Sequence, residues 1–555
     1  MTSYYGNYKE EKHPLAARIW GHRLRIGQHW IEYMLEFLSV LSGFQYRLGQ
    51  GLPAREDEAG YLETYRVPRR LGLRRFVFYD EREKNRDSRD THAVAELRRR
   101  LSHLMPGPNG SVNDEVVEQV RSLLRSFSAI EEERSWFAKS LFPVHEEFLL
   151  WEGQRSRSVQ QEYQWSIEEL EPYELDRGIE FTTRNFFARG GELYYLMISA
   201  GTEGQHEQRA YIGRRLRELL TQQNQSLGKI AREIDITWCQ RNGASQAYVT
   251  GTLGWILDPD CALYRQIAND LATFLNNDLD SLECLELLAH LIGFHVVCYI
   301  YHRAHPASHP EGHASGSCAY ACRPTILVDL LGDQDGGVMR EQSAALLREQ
   351  DDLQLRQARD LVAEKLRIWA DQLPLGEELD EYLDEKVKEY FQLGQTRAKG
   401  KYETALHEVR AQYRVAADRE RLLQRFGDVV FEGLSGEFRK NFLGIHRKIG
   451  RAIGLIAPRK GPQVRFVLGD TLLKTLVMAM LPPGEQLPFG TFLEQLYLHY
   501  GIVVGPGEAR AAELMARVRI NEEYYARNRD ALLERMQRAG LLTQYSDATS
   551  LVRRR

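Results

Sequence analysis

The residues best suited to chemistry lie between positions 302 and 322, where the chain carries His302, His305, His309, His313, Cys318 and Cys322. Zinc takes four nitrogen or sulfur donors in a tetrahedron, and thiolates a few residues apart commonly supply two of them. Cys318-x-x-x-Cys322 has such a spacing. His302-x-x-His305 or His309-x-x-x-His313 completes the shell, and the set expected is Cys318, Cys322, His302 and His305, holding a structural zinc. A stretch so rich in His, Pro, Ala, Ser and Gly also fits a tolerated surface insertion. All six cysteines fall between positions 239 and 322. A disulfide framework would spread along the chain, so buried thiols or one metal site fit better.

Carboxylates offer a second chemistry. Pro324-Thr325-Ile326-Leu327-Val328-Asp329 reads as a buried strand ending in an acid, with Asp333 and Asp335 close behind. Such a group can hold a divalent cation for phosphodiester hydrolysis, although an Asp at a strand end more often caps a turn. A third chemistry is nucleic-acid contact. Arginines alternate with Tyr65, Phe76, Phe78 and Tyr79 in a segment whose 76–79 portion is expected to be a strand. The alternative there is core aromatics with arginines paired to Asp80, Glu81 and Glu83. Glycine-rich phosphate loops, nucleophile elbows, His-Glu-x-x-His helices and dinucleotide fingerprints are absent from the sequence, which argues against an enzyme of a familiar type but not against an unfamiliar one.

Charge is distributed unevenly. Residues 428–555 hold 19 Lys and Arg against 13 Asp and Glu, a balance of +6, so the remainder of this chain of net charge -5 stands at -11. A nucleic-acid surface must therefore be local. Within the basic region, Thr471–Leu481 reads as a helix stopped at Pro482-Pro483, Gln486–Phe489 as a short strand, and Thr491–Tyr500 as a second helix. Asn528–Ala539 reads as a third helix with Gly540 as its cap, followed by strand, turn and strand up to Arg553. That order, with the piece Leu532-Leu533-Glu-Arg-Met536 through Gly540-Leu541-Leu542, resembles a winged helix-turn-helix over roughly the last 85 residues. The resemblance implies contact with DNA, or with protein, through the third helix and wing. The residues expected to meet DNA are Arg527, Arg529, Arg535, Arg538 and Arg553, with Arg447, Lys448, Arg451, Arg459 and Lys460 from the preceding amphipathic segment.

The elements that position these groups read as mainly α, multidomain, with a few short strands. At 555 residues the chain exceeds one compact core. The expected division is 1–153 (helical with a short strand), 154–336 (α+β with the His/Cys loop), 337–427 (charged helical connector), 428–465 (basic helical segment) and 466–555 (winged-helix-like). Leu285–Tyr301 is the most apolar helix expected, with His290 and His295 as core histidines. Absence of an apolar leader at the start predicts a cytoplasmic protein with no membrane partner. The functional expectation is a non-catalytic scaffold or adaptor contacting DNA through its C-terminal domain. It would serve a multi-protein prokaryotic nucleic-acid-processing system such as anti-phage defence, where an ATPase, nuclease or methyltransferase partner supplies the chemistry. The alternatives are a metal-dependent nuclease built on Asp329 and the His/Cys cluster, and an assembly subunit without nucleic-acid contact.

Overall fold

The computed structural model describes residues 19–20, 24, 28–50, 64–68, 71–78, 114–130, 140–149, 190–241, 248–252, 256, 261–305, 323–332, 337–371, 385, 387, 403–404, 407, 419–438, 443–458, 463–517, 521–546 and 549–554. Helices dominate them, with a few short strands. The chain divides into two units that are each discontinuous in sequence: residues 27–253 with 277–289, and residues 1–26 with 254–276 and 290–555.

In the unit built on residues 27–253, α1 (Trp30–Gly43) begins at a capping box. The Glu32 carboxylate accepts the His29 N–H at 2.7 Å, while His29 Nδ1 accepts the Ile31 N–H. Tyr33, Met34, Phe37, Leu38 and Leu41 of this helix are buried at helical spacing. β1 (Thr64–Pro68) precedes α2 (Leu71–Phe78). The expected strand at 76–79 is thus largely helix. Leu73, Phe76, Val77 and Phe78 join a core with Val117, Val120 and Leu124 of α3 (Asp114–Arg125), Leu141, Val144, Phe148 and Ile234, so tertiary burial overrides the β propensity of the aromatics. β2 (Ser128–Ile130) and β3 (Ser140–Leu141) form a small antiparallel pair. The fully buried α4 (Gly190–Gly201) meets α1, where the Gly191 N–H donates to Glu36 at 2.8 Å. α5 (His206–Thr221) and α6 (Gln225–Arg241) follow, and β4 (Tyr248–Thr252) pairs antiparallel with β1.

The second unit is centred on the apolar helix. After α7 (Ala262–Leu275), the chain crosses between units inside α8 (Ser281–Ala304). By length and composition α8 is apolar enough to span a membrane, yet 94% of its most apolar window is buried within the protein. His295 lies 3.3 Å from Asp270, which also accepts the Tyr500 hydroxyl at 2.9 Å, making His295 the core histidine expected. β5 (Ile326–Leu327) is followed by α9 (Val338–Asp371), α10 (Arg419–Phe438), α11 (Gly444–Ile453) and the antiparallel pair β6 (Ile456–Ala457) and β7 (Arg465–Phe466). The Tyr301 hydroxyl meets His446 Nδ1 at 2.9 Å, and His446 Nε2 meets Asp351 at 2.8 Å, joining α8, α11 and α9 through one buried polar chain.

From residue 470 the elements are α12 (Asp470–Met480), β8 (Gln486–Pro488), α13 (Phe489–Tyr500), β9 (Ile502–Val503), α14 (Pro506–Ala511), α15 (Leu514–Arg517), α16 (Glu522–Arg538), β10 (Leu542–Ser546) and β11 (Thr549–Arg553). β11 lies between β10 and β8, antiparallel to both. Unforeseen from sequence are the extra helices α14 and α15, and the parallel pairing of β9 with β5. Gly501 makes that pairing possible. Its φ is +72°, and a Cβ there would stand 1.7 Å from the Pro324 carbonyl oxygen.

Candidate functional site

A groove of about 740 Å³ opens over α16. Helical periodicity builds its wall: Arg527, Asp530, Ala531, Glu534, Arg535 and Arg538 follow the spacing that places residues on one face, with Leu330, Leu331 and Asp470 opposite. The other face of α16 is anchored. Tyr525, Asn528, Leu532 and Met536 are buried. Asn528 donates to the carbonyls of Val328 and Val504, each at 2.9 Å, and accepts the Leu330 N–H at 2.9 Å. This buried side chain satisfies three backbone groups at the β5–β9 edge and fixes which face of α16 borders the groove. At the far end Gly540, with φ +70°, closes the helix, and the Leu541 N–H donates to the Met536 carbonyl at 2.9 Å.

The groove carries both signs of charge. Arg535 pairs with Asp470, Arg538 with Glu534 at 2.9 Å, and Arg529 with its neighbour Asp530 at 2.8 Å. Arg527 is exposed at the groove, and Arg553 is exposed on β11. Of the earlier basic residues, Arg447 is ion-paired with Asp351 on α9, Lys448 is exposed, and Arg451 is half-buried. Arg459 and Lys460 lie outside the described residues. The fold therefore gathers Arg527, Arg535 and Arg538 of α16 on one wall, Arg535 and Arg538 each beside an acid, while Arg447 ties α11 to α9.

Of the zinc candidates, His302 and His305 are among the described residues. His302 is buried in the last turn of α8, and its Nε2 lies 3.2 Å from Cys261 Sγ at the start of α7. His305 follows the helix end, its N–H donating to the His302 carbonyl at 3.2 Å. Cys318 and Cys322 lie outside the described residues, and among the described residues no three His, Cys, Asp or Glu side chains gather as a metal site. Burial, with the nearby Arg303 and His305 charges, pushes His302 down to about 4, so its imidazole is neutral at physiological pH. His446 is also held below the ordinary imidazole value by burial, against the opposing pull of Asp351.

Asp329, the candidate nuclease acid, is used by its own turn. One carboxylate oxygen accepts the N–H groups of Leu331 at 3.1 Å and Gly332 at 3.0 Å, and the other pairs with Arg465. Asp333 and Asp335 lie outside the described residues. Sequence reasoning passed over the Cys261–His302 pair because the partners stand 41 positions apart. The available signal was a cysteine directly preceding a helix of apolar periodicity. No family model, curated protein or solved structure matches this chain.

Proposed function

We propose that this chain is a non-catalytic assembly subunit whose C-terminal domain, of winged-helix type, docks a partner protein in the groove over α16. The order α12, β8, α13, α16, β10, β11, with β11 between β10 and β8, supports the winged-helix assignment. The observation that carries the docking reading is the charge balance of the groove: Arg527, Arg535 and Arg538 share it with Asp470, Asp530 and Glu534. A phosphate backbone needs a net positive surface, and duplex approach here would desolvate and repel carboxylates. A protein surface with interspersed acids and bases meets the same wall with opposite charges in register. Leu330, Leu331, Ala531 and Ala539 add apolar area between the charges.

DNA contact is the second reading, favoured by the +6 balance of residues 428–555 and by the exposed Arg527 and Arg553. A photo-crosslinking amino acid placed at Ala531 in the native host separates the two. The docking reading expects a crosslinked product destroyed by protease and indifferent to nuclease. A nuclease-sensitive product, with duplex affinity that falls steeply with salt and is lost in Arg527→Glu/Arg538→Glu, overturns it in favour of DNA.

A structural zinc held by Cys318 and Cys322 belongs to the same proposal, as does a cytoplasmic place within a multi-protein nucleic-acid-processing system. Elemental analysis of wild type against Cys318→Ser/Cys322→Ser checks the metal. Stoichiometric zinc lost in the double variant is expected, and equal metal in both removes this loop as its ligand.

A further inference from the structure

Four groove residues on α16, Arg527, Ala531, Glu534 and Arg538, repeat at intervals of four, three and four. With about 3.6 residues per turn, they fall within roughly 60° of one another around the helix axis and run for about 17 Å along it. That is the seam spacing by which one helix meets another lying alongside it. Arg527, Glu534 and Arg538 are exposed, so the seam is open toward the groove. Ala531 sits between the charges, with Leu330 and Leu331 across from it. An apolar side chain entering there meets carbon on both walls.

We infer that the groove receives one α-helix of the partner protein, laid along α16. Its seam carries an acid over Arg527, a large apolar residue over Ala531, a base over Glu534 and an acid over Arg538. This rests on the docking reading and names the element that docks. Arg538 and Glu534 pair with each other at 2.9 Å, their side chains 79% and 63% exposed. So exposed a pair is weakly held and exchanges readily for charges on a partner. An extended segment has less to bind. Strand addition draws on main-chain bonds to the wall it meets. In the turn that carries Leu330 and Leu331, the Leu330 N–H is taken by Asn528, and those of Leu331 and Gly332 by Asp329. α16 bonds its own backbone internally, as an arriving helix does. Recognition across this seam therefore runs through side chains, in the register that two helices share.

A photo-crosslinking amino acid placed in turn at Arg527, Glu534 and Arg538 of the full chain, in the native host, tests the assignment. All three positions are exposed, so the replacements leave the fold intact. Mass spectrometry then locates the partner residue joined to each position. The helix inference expects the three partner residues in one continuous run spanning about 11 positions, stepping by about seven and then by three or four. A run spanning about five positions is a strand, by its longer rise per residue, and overturns the helix. Crosslinks to unconnected segments overturn it too, and in both cases the docking reading stands. Nuclease-sensitive products, or no protein product from any of the three positions, overturn both. The charge register has its own readout. With the crosslinker at Arg527, Glu534→Lys should lower the yield about tenfold, because it sets like charges against each other. Changing the partner base found opposite position 534 to Glu should restore the yield. A yield indifferent to Glu534→Lys, or not restored by the partner change, overturns the assigned register.

Discussion

Single side chains hold much of the C-terminal unit in place. Asn528 satisfies two carbonyls and one N–H at the β5–β9 edge. Asn528→Ala leaves all three without that partner, and a loss of about 2–3 kcal/mol in urea unfolding is expected. Asn528→Asp keeps the acceptor for Leu330 N–H but not the donor, so it should also destabilise. Equal stability of wild type and Asn528→Ala would show that water replaces the amide. His302 gives a pH dependence of definite sign. Its folded value, about 4, lies below the ordinary 6.5, so the unfolded chain binds the extra proton first. The corresponding stability is fully present above pH 6.5 and is lost as pH falls toward 4. The shift corresponds to something on the order of 3 kcal/mol. His446 contributes in the same direction. Chemical denaturation at pH 7 and pH 4.5 should show the fall, and His302→Gln should flatten part of it.

At the scale of elements, the C-terminal helices depend on how their ends are closed. Pro482-Pro483 follows α12, Gly540 closes α16, and Gly501 both ends α13 and lets β9 lie against β5. Gly501→Ala combines an unfavourable left-handed conformation with overlap on a backbone oxygen that cannot rotate away. The expected cost is about 3 kcal/mol or more, read as a lowered unfolding midpoint. Hydrogen exchange at Ile326 and Val328, whose N–H groups donate to Gly501 and Val503, should accelerate in that variant. Unchanged protection there would mean that the parallel pair does not depend on the glycine. Buried helix α8 shows why apolar length is a poor guide to environment. Its sequence suits hydrocarbon, but the protein itself covers it, and Tyr299 and Arg303 bond to the Trp20 and Ile19 carbonyls.

For the whole molecule, the basic tail is less basic in space than in sequence. Arg447, Arg529, Arg535 and Arg538 each stand beside an acid, so the +6 of residues 428–555 does not become one cationic face over α16. Charge-neutralising Asp470→Asn/Glu534→Gln releases two of those arginines. It should raise non-specific duplex affinity severalfold at low salt while weakening partner capture through the groove. A fluorescence anisotropy titration at two salt concentrations reads the first effect.

Local pattern alone determined a good deal. Helical apolar spacing with proline and glycine stops located α12, α13 and α8, and Gly540 marked the end of α16, because those signals act within a few residues. It also placed Ile326 and Leu327 in a strand and cast Asp329 as a turn residue. The conformation of residues 76–78 was decided by tertiary burial, since a run of aromatics suits a core helix as well as a strand. Which arginines meet acids, which acid closes its own turn with Arg465, and which histidine meets Cys261 were likewise settled only by packing. Those partners lie far apart along the chain, and side-chain chemistry names what can pair but not what the fold brings within reach.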